Sequence, residues 1–214
     1  MNKIIYSSIT KKFVMALAGL FLLAFLPVHL SINFLLLKPE QESFNKAAHF
    51  MATFPVIRII EIVLISSIII HILWGGYLQL QNWTARPVAY ATSIRSETRA
   101  FSRFMIYTGG TIMIFLILHF FNFYFVKLGI VEGDPENFYN MAHSLFKIDT
   151  YNYIYLTAFI LLGFHLYHAI SSASQTLGLN HKFWNPVVKA AALIYAIAIP
   201  LGFAFISITL WLFR

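Results

Sequence analysis

Eight histidines and no cysteine bound what this 214-residue chain can do with a metal. The missing cysteines exclude disulfides, thiolate sites, iron–sulfur ligation and cysteine nucleophiles together. Five histidines fall inside long apolar runs: His29, His71, His119 and the pair His165/His168. An ionisable side chain in such surroundings is costly, and marks a ligand site, a proton relay or an ion path. One such histidine alone is commonly an interhelical hydrogen-bonding residue. A set spread over four successive runs asks for another reason. His49, His143 and His181 lie in polar connections and need none.

The runs themselves read as membrane helices. Stretches of at least ~18 apolar residues suffice to span a bilayer. Five occur, roughly Phe13–Leu37, Phe54–Leu80, Phe104–Val126, Tyr151–Leu177 and Val187–Phe213. The chain is 59% hydrophobic and 11% charged, about half the charged share of a soluble domain. The expected fold is all-α: an integral membrane bundle of five transmembrane helices forming one domain over residues 1–214. The first four should make an up-down bundle, and each carries an intramembrane histidine; the fifth carries none. The first run is about twice the ~7–15-residue core of a signal peptide and lacks a small-x-small cleavage site, which predicts a retained helix. Pro200 predicts a kink in the fifth helix.

Depth pairs the histidines. His29 lies nine residues from Lys38 and His119 eight from Lys127, hence ~14 Å and ~12 Å from the outer edge at the helical rise. His71 is thirteen residues from Arg58 and His165 sixteen from Asp149, hence ~20 Å and ~24 Å deep. The first and third helices share the outer level, and the second and fourth share the inner one. In an up-down bundle these are the diagonals, with axes ~12–14 Å apart when neighbours lie ~8–10 Å apart. Each diagonal then suits two imidazoles on opposite faces of one iron, and predicts two bis-histidine b haems stacked across the membrane. His165 is preferred on the fourth helix because Ala169 follows at +4; His168, with Ser172 at +4, is the alternative. Gly75, four residues after His71, with Gly76, Gly109, Gly110 and Gly163, offers room for a macrocycle. Haem propionates would draw Arg103 or Lys182 inside and Arg58 outside. Proton-coupled transport is the competing use of such histidines, and it predicts broken helices in two halves.

The net charge of +7 could suggest nucleic acid. Its distribution reports topology instead. The N-terminus and the second and fourth connections hold nine positive residues and one negative; the first and third, with the span ends beside them and Arg214, hold six positive and seven negative. The positive-inside rule puts the N-terminus in the cytoplasm and the C-terminus outside, in a multi-pass protein of the cytoplasmic membrane. The arginine-rich connection of residues 81–102 suits either docking of a soluble partner or plain topology charge. The outer connection of residues 129–150 is acidic, with a turn signal at Gly133-Asp134-Pro135.

The residues that single out a family are Ser7-Ser8-Ile9-Thr10-Lys11-Lys12 ahead of the first span and Pro27-Val28-His29-Leu30 within it. His71-Ile72-Leu73-Trp74-Gly75-Gly76, Leu118-His119-Phe120 and Gly163-Phe164-His165-Leu166-Tyr167-His168-Ala169 follow, then Gln175-Thr176-Leu177-Gly178-Leu179-Asn180-His181. Over nearly its whole length the chain resembles the cytochrome b subunit of succinate:quinone oxidoreductases and fumarate reductases, of the type with a single five-helix, dihaem anchor. The resemblance implies the same pairing of helices around the haems. It implies a flavoprotein and an iron–sulfur subunit on the cytoplasmic face, and electron transfer from succinate through the inner and outer haems to a quinone, menaquinone above others. The succinate site and the flavin would lie in those partners. A dihaem anchor of another respiratory dehydrogenase or reductase is the nearest alternative.

A quinone takes up two protons on reduction, so an ionisable group should stand near it. Glu61 is the one carboxylate embedded in a span; it serves either there or in an i,i+3 ion pair with Arg58. His49 and Asn33 are further candidates.

Overall fold

The computed structural model describes residues 8–84, 97–179 and 181–213. Helix α1 (Ser8–Asn33) ends in a 3-10 turn, Phe34–Leu37, and is followed by α2 (Gln41–Thr53) and α3 (Pro55–Thr84). Helix α4 (Glu97–His119) widens into a π-helical turn, Phe120–Tyr124, and closes with a last α turn, Phe125–Lys127. Then come α5 (Phe138–Phe146), α6 (Asp149–Thr176) and α7 (Trp184–Leu212). Among the described residues, five segments are long and apolar enough to cross a membrane: Thr10–Leu37, Pro55–Gln81, Phe104–Lys127, Asp149–Thr176 and Trp184–Leu212. The fold is an all-α, multi-pass membrane bundle.

Helix α1 packs against α3 and α6, and α4 packs against α6, while α3 and α4 meet only lightly. The diagonals are therefore α1/α4 and α3/α6, the arrangement expected of the first four spans. Helix α7 lies against α6 and α1. The tightest packing is between α6 and α7, where Ala158, Phe159, Leu166, Ala192, Ala196 and Ile199 are buried.

Two prolines shape the contacts. Proline removes the N–H that would bond the carbonyl four residues back. In α1, Pro27 frees the carbonyl of Leu23, and the Tyr195 hydroxyl of α7 donates to it. In α7, Pro200 frees the carbonyl of Ala196. Gly163 of α6 passes so close that an added Cβ would stand 2.9 Å from that oxygen. Helix α7 runs on through Pro200.

Two connections that read as irregular in the sequence contain helices. In α2, Phe44, Ala47, Ala48 and Met51 recur at helical spacing, and Phe44 is buried beside the ring of Tyr139 in α5. Asn45 ties the two helices: its Nδ2 donates to Asn137 Oδ1 (3.1 Å) and its Oδ1 accepts from the Tyr139 amide (3.1 Å). Asn137 also caps α5 by accepting from the Asn140 amide. These short helices cover one end of the bundle, next to the shallower histidine pair. On the exposed face of α2, Lys46 lies 2.7 Å from Glu42 and holds its carboxyl below the usual range.

Candidate cofactor site

His29 and His119 converge from α1 and α4, their ring centroids 5.9 Å apart and their planes at 87°. His29 stacks on Phe25 (5.1 Å) and lies 5.7 Å from Phe203 of α7. His119 stacks on Phe115 (5.8 Å) and meets Phe123 at 5.3 Å. It is the last residue of α4 before the π turn. Such widened turns recur at functional sites because one extra residue re-aims the side chains that follow. Here the turn brings Asn122 to α6, where its Nδ2 donates to the Tyr155 hydroxyl (3.2 Å). That hydroxyl lies 3.3 Å from His119 Nδ1. On α1, Asn33 Nδ2 donates to the carbonyl of His29 (2.8 Å) and lies 3.4 Å from its Nδ1.

His71 and His165 converge from α3 and α6, ring centroids 6.2 Å apart and planes at 69°. His165 Nδ1 is 3.4 Å from Thr108 Oγ1. The Thr108 hydroxyl donates to the carbonyls of Phe104 and Met105 (both 3.2 Å), so its oxygen stays open to accept from the ring. His71 Nδ1 is buried with no hydrogen-bond partner among the described residues. Each of these rings rests against a glycine of a neighbouring helix. A Cβ on Gly19 would be 3.5 Å from His71 Cε1, and one on Gly109 3.4 Å from His165 Cε1.

The geometry suits a metal with its own equatorial ligands. Metal–imidazole bonds of about 2.0–2.1 Å, plus about 1.1 Å from nitrogen to ring centre, set two axial rings roughly 6 Å apart. Both pairs stand at that separation. Among the described residues, no three or more His, Asp or Glu side chains gather as a metal site. Each level offers two facing imidazoles, as a porphyrin iron would use. The partners at Nδ1 of His119 and His165 suit it too. Metal-bound histidines as a rule donate their other N–H to an oxygen, which leaves Nε2 for the metal. The Tyr155 and Thr108 oxygens are placed to accept such protons, and the orphaned polar atom of His71 and the glycine at each inner ring are consistent with a bound group.

The remaining candidates separate. Glu61 does not pair with Arg58: its Oε2 lies 2.7 Å from Lys127 Nζ, at the end of the third span. Arg58 is exposed and donates from Nε to the carbonyl of Ala52 (3.2 Å), so it clasps the end of α2. The i,i+3 spacing lost to a lysine that only the tertiary fold brings near. His49 is exposed on α2, in a surface pocket with Glu42, Asn45 and Glu136. Asn33 belongs to the turn of His29. His168 is half-buried, and the ring that meets His71 is that of His165. Lys182 is exposed; the side chain of Arg103 lies outside what is described. Gly163 faces α7, and a Cβ on Gly75 would meet Met15 Cε at 3.1 Å, so neither opens space beside a histidine. Gly109 does, and so does Gly19, which the sequence reading passed over. Tyr155, Thr108, Asn122 and Lys127 were also missed as partners. A polar side chain inside a span was the available signal for Thr108 and Tyr155.

Comparison with protein-family models, with curated protein sequences and with solved structures yields no match. Fold and site thus define a class, a multi-pass all-α membrane bundle with two facing histidine pairs at its centre.

Proposed function

We propose that the chain is the dihaem cytochrome b anchor of a succinate:quinone oxidoreductase or fumarate reductase. It carries electrons between an iron–sulfur partner and a quinone, menaquinone above others. The observation that carries the reading is the double pairing of His29 with His119 and His71 with His165, at 5.9 and 6.2 Å. His29 and His119 would hold the outer haem, and His71 and His165 the inner one. The bound haem supplies one-electron chemistry, and the protein tunes it through ligands, hydrogen bonds and burial. Two imidazoles would hold each iron, an arrangement that suits electron transfer over oxygen binding. Tyr155 and Thr108 orient rings and set their basicity, while Phe25, Phe115, Phe123 and Phe203 keep water from the outer pair. Positive-inside charge supports a cytoplasmic N-terminus, with the flavoprotein and iron–sulfur subunits docked on that face of the cytoplasmic membrane.

The test is an optical spectrum with haem quantification on the detergent-purified protein. Low-spin b-type bands at two haems per chain are expected. A featureless spectrum from haem-sufficient cells overturns the reading. Co-purification with a flavoprotein separates this anchor from that of another dehydrogenase.

A further inference from the structure

Helices α3 and α4 form the weak side of the bundle. Among their described side chains none of α3 is buried and only Thr108 of α4 is, whereas α6 buries six and α7 seven. Where buried contacts are few, a structure opens locally at small cost in free energy. The other sides are better held. Trp74 Nε1 donates to the carbonyl of Lys11 (3.0 Å) and Lys11 Nζ to Gln81 Oε1 (3.3 Å), which ties one end of α3 to α1. The Lys11 ammonium also lies over the Tyr77 ring at 5.2 Å. Asn122 joins the π turn after α4 to Tyr155 of α6. Helix α7 backs the α1–α6 side, where Gly202 stands so close to Leu30 that a Cβ would lie 2.7 Å from its Cδ2.

Across α3–α4 the side-chain ties converge on one carboxylate. Glu61 Oε2 receives Lys127 Nζ at 2.7 Å, and the Tyr124 hydroxyl bonds the same group. At that end α3 is joined to α2 through Phe54, a single extended residue that can take up a change of angle. We propose that α3 is the gate through which haem enters the bundle from the lipid phase, hinged at Lys11 and latched by Glu61. The inference rests on the dihaem reading and gives the cofactor its path. A porphyrin is apolar apart from its propionates, so it can arrive through the bilayer at a seam that no further helix covers. With Glu61 released, the latched end of α3 swings from α4 and opens the way to the histidines. Closing the latch slows exchange and leaves the number of haems held unchanged.

The experiment is haem transfer from the detergent-purified holo chain to excess apomyoglobin, followed optically after haem content has been measured. Glu61→Leu should hold both haems and release them roughly tenfold faster. The converse is a covalent latch. The chain has no cysteine, so Glu61→Cys with Lys127→Cys can be joined by a short bismaleimide. Joining should slow release roughly tenfold against the same variant left unjoined. Asp149 and Trp211 meet at 2.8 Å across α6–α7. Asp149→Cys with Trp211→Cys, joined in the same way, should change the rate by less than about twofold, because that seam is not the path. An unchanged rate in Glu61→Leu or in the joined Glu61/Lys127 variant overturns the inference, as does equal slowing by the α6–α7 link. Absence of haem from the unaltered protein is a different failure, since it removes the dihaem reading itself.

Discussion

Lys127 reaches from the last turn after α4 to Glu61 on α3, closing a 2.7 Å ion pair in which both side chains are about one-fifth exposed. It joins two helices that otherwise touch lightly. Lys127 ends the α turn that follows the π turn, so the pair also fixes the segment that carries Asn122 toward α6.

Breaking this pair should loosen the α3–α4 seam and leave the histidines in place. Removing one partner of a half-screened pair costs on the order of 1–2 kcal/mol. Lys127→Met is expected to lower the thermal midpoint in detergent by a few degrees and to keep both haems. Loss of haem from this variant would tie the seam to cofactor binding.

Tyr155 is buried, and its hydroxyl stands against His119 Nδ1. An oxygen accepting from Nδ1–H makes the imidazole more basic and favours the ferric state. Tyr155→Phe should therefore raise the midpoint potential of the outer haem by roughly tens of millivolts and leave the inner one unmoved. A potentiometric titration that resolves the two haems reads this directly.

Gly109 borders His165, where an added methyl group would stand 3.4 Å from Cε1. Gly109→Ala should keep both haems. Gly109→Leu should lose one, the inner, as measured by pyridine haemochrome. Equal haem content in the two variants would show that the space beside His165 is not the macrocycle's.

The α6–α7 interface is held by a buried polar node independent of any cofactor. Asn152 donates to the carbonyl of Phe146 (2.6 Å) and accepts from Ser207 Oγ (3.0 Å), and both residues are buried. Asn152→Ala leaves that carbonyl unsatisfied and should cost about 2 kcal/mol. Gly163→Ala, which sets a methyl group against the Ala196 carbonyl, should cost about 1–3 kcal/mol by overpacking. Unfolding in detergent checks both.

The spans were legible because twenty or so apolar residues in a row leave a bilayer-crossing helix few alternatives. The levels of His29, His71, His119 and His165 were legible because helical rise is constant. Contacts set by rotation and by distant chain segments were not. Glu61 had Arg58 three residues away in sequence, yet its partner is Lys127. Gly163 looked like space for a ring, but Pro200 on another helix had freed a carbonyl that occupies it. Helices α2 and α5 are short, and their few apolar positions count only because Asn45 and Asn137 bind them to each other. The π turn at Phe120–Tyr124 has no local composition signal at all.

Haem quantification on four single variants tests the pairing most directly. His29→Ala and His119→Ala should each lose one haem with the same spectral and redox signature, while His71→Ala and His165→Ala each lose the other. Loss of one common haem from His29→Ala and His71→Ala, or retention of both haems in any of the four, would contradict it.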